Sequence, residues 1–161
     1  MKRFISALSI LSLVATTTFA EDGKVYPGSM GIRWNSSDPF PSLNASAIHN
    51  PSSTQWLRLD LPAVHDQIGK TIKSGWVKVV DRHYSQDVRC SLNAVVRSGS
   101  SFTGWWGPFR FSAGSGTATQ TLNIPALGSN SQAHYYFSCH IPPTYSGNQS
   151  AIVSYYVEER T

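Results

Sequence analysis

Two cysteine-containing segments of this chain alternate between apolar and polar residues at every second position. Around Cys90 the apolar positions are Val88, Cys90, Leu92, Ala94 and Val96. Around Cys139 they are Tyr135, Phe137, Cys139 and Ile141. A period of two places successive side chains on opposite faces, as in a β-strand with one face buried. Each cysteine therefore lies on the apolar face of its own predicted strand.

Further short segments show the same period and are separated by stretches rich in Gly, Pro, Ser and Asn. They are residues 30–34, 57–61, 76–80, 121–124 and 151–158. Residues 62–68 are the one candidate helix, with Pro62 at its first position and Gly69 after its end. About eight or nine strands at this spacing predict an antiparallel β-sandwich of jelly-roll or immunoglobulin-like topology, with a barrel as the alternative.

The first twenty residues have the features of a secretory signal peptide. Lys2 and Arg3 give a positive start, residues 4–14 are largely apolar, and Thr18 and Ala20 place small side chains at a cleavage site. We expect residues 21–161 to form a single domain that is secreted or periplasmic and is not inserted in a membrane after cleavage. An uncleaved membrane anchor is the alternative.

In an exported chain, an even pair of cysteines indicates a disulfide. Cys90 and Cys139 are therefore predicted to form one. The bond would close a loop of about 50 residues, worth about 4 kcal/mol in the chain-entropy model. Two free buried thiols are the alternative. A zinc site is not expected, because the pair lacks the C-x-x-C spacing of such sites.

The composition limits the classes of protein to which the chain can belong. Charged residues are 14% of the chain and aromatic residues 12%, whereas charged residues are roughly 25% of an average soluble domain. The low charge excludes a coiled coil, and the aromatic share argues against disorder. Loss of Lys2 and Arg3 with the signal lowers the formal net charge from +4 to +2 and leaves no basic cluster. We therefore predict no nucleic-acid partner.

Three segments carry a family resemblance. They are DVRCSL at 87–92, YYFSCHIPP at 135–143 and SAIVSYYVE at 150–158. Together they resemble a set of short exported bacterial proteins over roughly the last two thirds of the mature chain. The shared features are two cysteine strands, the second ending in Pro-Pro, and a final strand ending in Glu. The resemblance implies a bacterial source and an all-β fold, and it implies no activity and no functional residues.

Adjacent aromatic residues are the candidate binding residues. Neighbouring residues of a strand point to opposite faces, so only one ring of each adjacent pair can enter the core. Exposed Trp and Tyr rings can stack on a sugar or contact a partner protein. The candidate ligand-binding residues are Trp105, Trp106, Tyr136, Tyr145 and Tyr156. The alternative is that these rings cover sheet edges or fill the core.

Catalytic and metal-binding motifs are absent from the sequence. It has no G-x-S-x-G, H-E-x-x-H, P-loop or G-x-G-x-x-G motif, so we assign no catalytic residue, no metal ligand and no cofactor. Asp81 and Asp87 flank a predicted hairpin at 82–86, where two carboxylates could contribute to a calcium site. An aspartate that caps the backbone of its own turn is the favoured interpretation.

These features lead to three hypotheses about function. The first is an exported, non-enzymatic β-sandwich module that binds carbohydrate or another surface polymer through exposed aromatic residues. The second is a protein-interaction or inhibitor domain that uses the same residues against an extracellular protein. The third is a hydrolase whose site is assembled from residues distant in sequence. The predicted oligomeric state is left open.

Overall fold

The computed structural model describes residues 23–64, 71–128 and 132–159. Within these ranges it contains twelve strands and one short 3-10 turn. The strands are β1 (Gly23–Pro27), β2 (Ile32–Arg33), β3 (Ser42–Asn44), β4 (Ala47–His49), β5 (Leu57–Ala63), β6 (Ile72–Val80), β7 (Arg89–Ser98), β8 (Ser101–Trp106), β9 (Arg110–Phe111), β10 (Thr119–Ile124), β11 (His134–Ile141) and β12 (Ala151–Glu159), and the turn is Gly28–Met30.

The strands form two antiparallel sheets packed as a sandwich. The first sheet has the order β10-β6-β12-β4-β3, with β1 also paired to β12. The second has the order β2-β5-β11-β7-β8, with β9 also paired to β7. The predicted all-β sandwich is confirmed.

The order of the long strands shows which sandwich topology the chain adopts. Along the sequence, β5, β7 and β11 lie in the second sheet, while β6, β10 and β12 lie in the first. In an immunoglobulin domain, strands joined by a hairpin share a sheet. Here the chain crosses between the sheets after most long strands, which places β4-β12-β6-β10 over β5-β11-β7-β8 as two four-stranded sheets. This is the arrangement of a jelly roll.

The core lies between the two sheets and is built from the inward positions of the alternating segments. Leu57, Leu59 and Leu61 are fully buried, and Phe137 meets Tyr155 of the opposite sheet edge-on at 5.9 Å between ring centroids. Cys90 and Cys139 are directly opposite each other on β7 and β11 and form the predicted disulfide, with 4.1 Å between their Cα atoms.

Two predictions of local structure are wrong. The segment 62–68 does not begin as a helix, because the alternation of β5 continues through Pro62 and Ala63; residues 65–70 lie outside the described residues. Proline is tolerated in β5 because β2 pairs only with Leu59 and Asp60, so that the described part of β5 has an open edge at Pro62. Residues 82–86 are not a hairpin, because β6 and β7 belong to different sheets.

The segment 30–34 forms a strand of only two residues, β2, and its apolar side chains face away from the core. Ile32 is paired with Asp60, an outward position of β5, and 63% of Ile32 is exposed. The period of two correctly predicted a strand in this segment. The apolar residues of the segment, however, lie on the outer face of the sheet and not in the core.

The predicted signal peptide, residues 1–20, lies outside the described residues. In the part of the chain that the structure describes, no helix is long and apolar enough to span a bilayer.

Candidate binding site

The outer face of the second sheet carries an ordered set of polar and aromatic side chains. Register aligns the outward residues of β5, β11 and β7 into rows across the sheet. We name the first of them, Arg58–His140–Arg89, the arginine row. The second is Asp60–Ser138–Ser91, and the third is Pro62–Tyr136–Asn93, which Trp106 of β8 extends.

Aromatic rings surround one part of this face and form a cleft of about 250 Å³. The floor of the cleft is polar, since Ser91 and Asn93 lie on it and the Ser91 hydroxyl is 3.2 Å from Asn93 Oδ1. Both residues are buried in the sheet. The aromatic residues of this cleft, which we name the aromatic cleft, are Trp34, Trp106, Phe109 and Tyr136.

A turn after β2 places Trp34 over the sheet. Asn35 Oδ1 accepts hydrogen bonds from the backbone N–H groups of Ser37 at 2.8 Å and Asp38 at 3.1 Å, which is the local turn chemistry typical of Asn. The Trp34 N–H donates to the Arg58 carbonyl at 3.0 Å, and the Arg58 guanidinium lies 4.2 Å from the Trp34 ring centroid. The indole is therefore held against the arginine row.

Two glycines allow Trp106 and Phe109 to reach the cleft. A Cβ on Gly104 would lie 2.7 Å from the Trp106 indole, so the indole lies along the strand only because residue 104 has no side chain. A Cβ on Gly107 would lie 2.6 Å from the Leu92 carbonyl, whose oxygen accepts the Gly107 N–H at 2.9 Å. This close approach lets the chain leave β8 and bring Phe109 back over the sheet.

A second cleft of about 520 Å³ lies beside the first and shares Arg58 and His140 with it. We name it the arginine cleft. Asp38 Oδ1 accepts a hydrogen bond from Arg58 Nε at 2.9 Å. On the other side of the row, Arg89 Nε donates to His140 Nδ1 at 3.1 Å.

Aromatic rings also hold Arg89 in place. Its guanidinium carbon lies 5.1 Å from the Trp56 ring centroid and 5.2 Å from that of Phe109. The residue before Trp56 is fixed by the fully buried Asn50, whose side-chain N–H groups donate to the carbonyls of Gln55 at 2.8 Å and Pro142 at 2.9 Å. The loop before β5 is thereby tied to the end of β11.

The electrostatics of the arginine row keep its histidine neutral. Burial and the positive charges of Arg89 and Arg58 lower the pKa of His140 from 6.5 to about 4. Because Nδ1 accepts the bond from Arg89, the neutral ring carries its proton on Nε2. The imidazole can therefore donate one hydrogen bond from Nε2.

Asp60 in the second row has an unusual environment for a carboxylate. Its Oδ1 atom is buried and accepts no hydrogen bond from any described residue. Burial and the neighbouring Asp38 raise the pKa of Asp60 from 3.8 to about 6. A buried acceptor without a donor costs free energy, so the ionised form of Asp60 is disfavoured at this position.

The substitution Asp60→Asn is expected to stabilise the fold at pH 7.5 and to change nothing at pH 3.5. Because the pKa is raised on folding, stability from the protonated group is present below about pH 4 and is lost as the pH rises through about 6. Asparagine stays neutral at every pH. After a discount for partial exposure we expect a gain of about 1 kcal/mol at pH 7.5, measured as the difference in chemical denaturation between variant and parent. An equal difference at both pH values would contradict the assignment.

The structure separates the five residues predicted to bind a ligand. Trp106 and Tyr136 line the aromatic cleft together. Trp105 is paired with the inward-facing Ala94 and so lies on the opposite side of β8, where it is still 37% exposed. Tyr156 stacks on Trp76 on the outside of the first sheet, at 5.4 Å between centroids. Tyr145 contacts Tyr84 in a loop cluster, at 4.4 Å.

The expectation that one ring of each adjacent pair enters the core holds for two pairs. Tyr135 and Tyr155 are buried, with Tyr136 and Tyr156 on the outward sides. In the third pair neither Trp105 nor Trp106 enters the core, and Trp106 is 66% exposed. Both residues lie at the end of β8, which is the last strand in the order of the second sheet.

Sequence analysis did not single out other residues of the two clefts: Trp34, Trp56, Arg58, Arg89, Phe109 and His140. Three of them, Arg58, Arg89 and His140, are outward residues that alternate with buried residues along their own strands. The alternation of polar and apolar residues was visible in the sequence, but it does not predict which strands are neighbours in the sheet.

Of the two aspartates considered for calcium, Asp81 forms hydrogen bonds to the backbone. Asp81 is fully buried, and its carboxyl group accepts hydrogen bonds from the N–H of His83 at 2.9 Å and of Val88 at 3.3 Å. It therefore caps its own crossing segment, as the favoured interpretation predicts. The described residues do not bring three His, Cys, Asp or Glu side chains into a metal-ligating group.

Sequence comparison finds no matching family model and no matching curated protein. Solved structures do match in fold. A family two carbohydrate esterase from Cellvibrio japonicus aligns with a TM-score of 0.52 at 8% identity, over 88% of this chain and 35% of the esterase. The chain thus spans about a third of the length of that protein.

Two xylan-related modules also align. The CBM36-1 domain of a multidomain xylanase from the hindgut metagenome of Trinervitermes trinervoides has a TM-score of 0.49 at 7% identity, over 87% of this chain and 98% of that domain. The low-affinity xylan-binding module CBM86 from Roseburia intestinalis has a TM-score of 0.45 at 14% identity, over 86% of this chain and 96% of the module. At these identities, the likeness to the esterase shows a shared β-sandwich fold.

Proposed function

We propose that this protein is an exported, non-enzymatic module that binds carbohydrate on the outer face of its second sheet. The observation that carries the proposal is the aromatic cleft, where four aromatic side chains surround a polar floor. Binding sites for small ligands commonly combine apolar and aromatic walls with a few placed polar groups. The fold is compatible with this function, but a fold by itself does not specify an activity.

The chemistry of the cleft matches the two surfaces of a sugar ring. A pyranose presents C–H groups on its faces and hydroxyl groups around its rim. The exposed Trp106 indole can cover a face of the ring. Ser91 and Asn93 offer donors and acceptors to hydroxyls.

Export is part of the proposal. The signal-peptide pattern of residues 1–20 and the disulfide between Cys90 and Cys139 both support it, because disulfides persist in oxidising compartments and are rare in the cytosol. Detection of the mature chain in the periplasmic or culture fraction, with its first residue identified by mass spectrometry, tests this part.

The substitution Trp106→Ala is expected to weaken polysaccharide binding by at least about tenfold, because truncating a central aromatic contact commonly costs about 2 kcal/mol. Affinity electrophoresis in gels that contain single soluble polysaccharides measures the loss. The panel contains neutral glucans, xylans, mannans and galactans together with acidic polysaccharides.

Trp105→Ala is the matched control, since it removes the same side chain one residue earlier on β8, from the side opposite the cleft. We expect this variant to bind as the parent does. Equal binding by Trp106→Ala and the parent, or loss in Trp105→Ala alone, would place the site elsewhere. If no polysaccharide binds and a protein co-purifies from the periplasm or culture medium, the interaction-domain hypothesis replaces this one.

A further inference from the structure

The arginine row has two guanidinium groups, and the described residues supply a carboxylate partner to one of them. Arg58 is paired with the buried carboxylate of Asp38. Arg89 donates its Nε–H to the neutral His140, and no carboxylate among the described residues pairs with Arg89. The arginine cleft, which both arginines line, therefore holds one guanidinium that has no carboxylate counter-ion among the described residues.

The two guanidinium groups are oriented before any ligand arrives. Arg58 lies against Trp34 and Arg89 lies between Trp56 and Phe109. Each arginine uses its Nε–H for a bond within the protein, and the Nη groups make no hydrogen bond to a described residue. Orientation by the fold lowers the entropy cost of binding, and a fixed guanidinium fork matches the geometry of an oxyanion.

The spacing of the arginine row allows both arginines to contact the same ligand. Arg58 and Arg89 are the two immediate cross-strand neighbours of His140, so their Cα atoms are about 10 Å apart, twice the spacing between strands. His140 stands between them with the hydrogen on Nε2. The clefts share Arg58 and His140, so a chain of sugar rings in the aromatic cleft would extend into the arginine cleft.

We propose, resting on the carbohydrate-binding function above, that the arginine cleft binds the anionic substituent of an acidic polysaccharide. The substituent is a uronate carboxylate or a sulfate ester, held by the guanidinium of Arg89 with Arg58 beside it. Guanidinium–oxyanion hydrogen bonds are charge-assisted and stronger than neutral ones. The aromatic cleft binds the sugar rings, and the arginine cleft selects for their charge.

The experiment compares acidic polysaccharides with neutral forms of the same backbone. One arm uses polygalacturonate and its carboxyl-reduced product, and the other uses a carrageenan and its desulfated product. We expect at least one acidic form to bind at least about tenfold more tightly than its neutral partner in about 50 mM NaCl, and the preference to shrink in about 0.5 M NaCl, where charges are screened over a few ångströms.

Three variants distinguish recognition by Arg89 from a general attraction to positive charge on the protein surface. Arg89→Gln is expected to reduce the preference, which is the ratio of acidic to neutral affinity, to less than about threefold. Arg89→Lys is expected to retain part of the preference, because lysine keeps the charge and loses the fork. Arg97→Gln is the matched control: it removes an arginine from the same strand, where Arg97 is exposed and bonded to the Gly99 carbonyl. We expect Arg97→Gln to keep the full preference.

The outcomes distinguish this inference from the proposed function. Equal binding of acidic and neutral forms, or a preference that Arg89→Gln leaves intact, overturns the arginine-cleft proposal while carbohydrate binding stands. Binding to neutral polysaccharides alone would also overturn the arginine-cleft proposal and leave carbohydrate binding in place. Absence of binding to every polysaccharide overturns both. The arm that shows the preference identifies the substituent as carboxylate or sulfate.

Discussion

Replacing both Cys90 and Cys139 with alanine is expected to lower the free energy of unfolding by about 4 kcal/mol. The bond joins residues 49 apart in the sequence, and the chain-entropy model gives this value for a loop of that length. For a domain of this size the loss corresponds to a fall in Tm of roughly 10 °C. Chemical denaturation of parent and variant, fitted as a two-state transition, measures it.

The single variants provide the control. Either Cys90→Ala or Cys139→Ala alone removes the same bond, so each is expected to lose nearly as much stability as the double variant. Because both sulfur-bearing residues are fully buried, dithiothreitol should reduce the parent only as fast as the protein unfolds, and it should not affect the double variant. A double variant as stable as the parent would contradict the prediction.

The substitution Asp81→Ala is expected to cost about 3–5 kcal/mol. The carboxyl group of Asp81 accepts hydrogen bonds from the backbone of His83 and Val88 and from the hydroxyls of Ser112 and Ser150. Each buried donor left without an acceptor costs about 1–3 kcal/mol. The residue joins the crossing segment after β6 to the starts of β7 and β12 and to the chain after β9, so its loss loosens four places together.

Asp87→Ala is the matched control, because Asp87 lies at the other end of the same crossing segment and makes no hydrogen bond to a described residue. A change within about 0.5 kcal/mol is expected there. Ser112→Ala should cost about 1 kcal/mol in the parent and almost nothing in the Asp81→Ala background, because its hydroxyl bonds to Asp81 and contacting residues do not behave additively. Full additivity of Ser112→Ala and Asp81→Ala would contradict the assigned bond between the two side chains.

The aromatic residues show where prediction from sequence reaches its limit. Alternation correctly put Tyr136 outward because its neighbours Tyr135 and Phe137 are apolar core residues. The same rule could not distinguish Tyr136 from Tyr156, which is also outward but stacks on Trp76 across the other sheet. Local pattern gives the face of a strand, and it does not give the identity of the neighbouring strand.

The sequence by itself determined the strand character of the chain, the inward face of the main strands and the pairing of Cys90 with Cys139, because side-chain period and cysteine number are local or countable properties. Only the tertiary structure decided the jelly-roll order and the face that carries the two clefts. Arg58, His140 and Arg89 come from strands far apart in sequence and form a row only because β11 lies between β5 and β7. That neighbourhood follows from how two sheets bury their apolar faces together, which is a property of the whole chain.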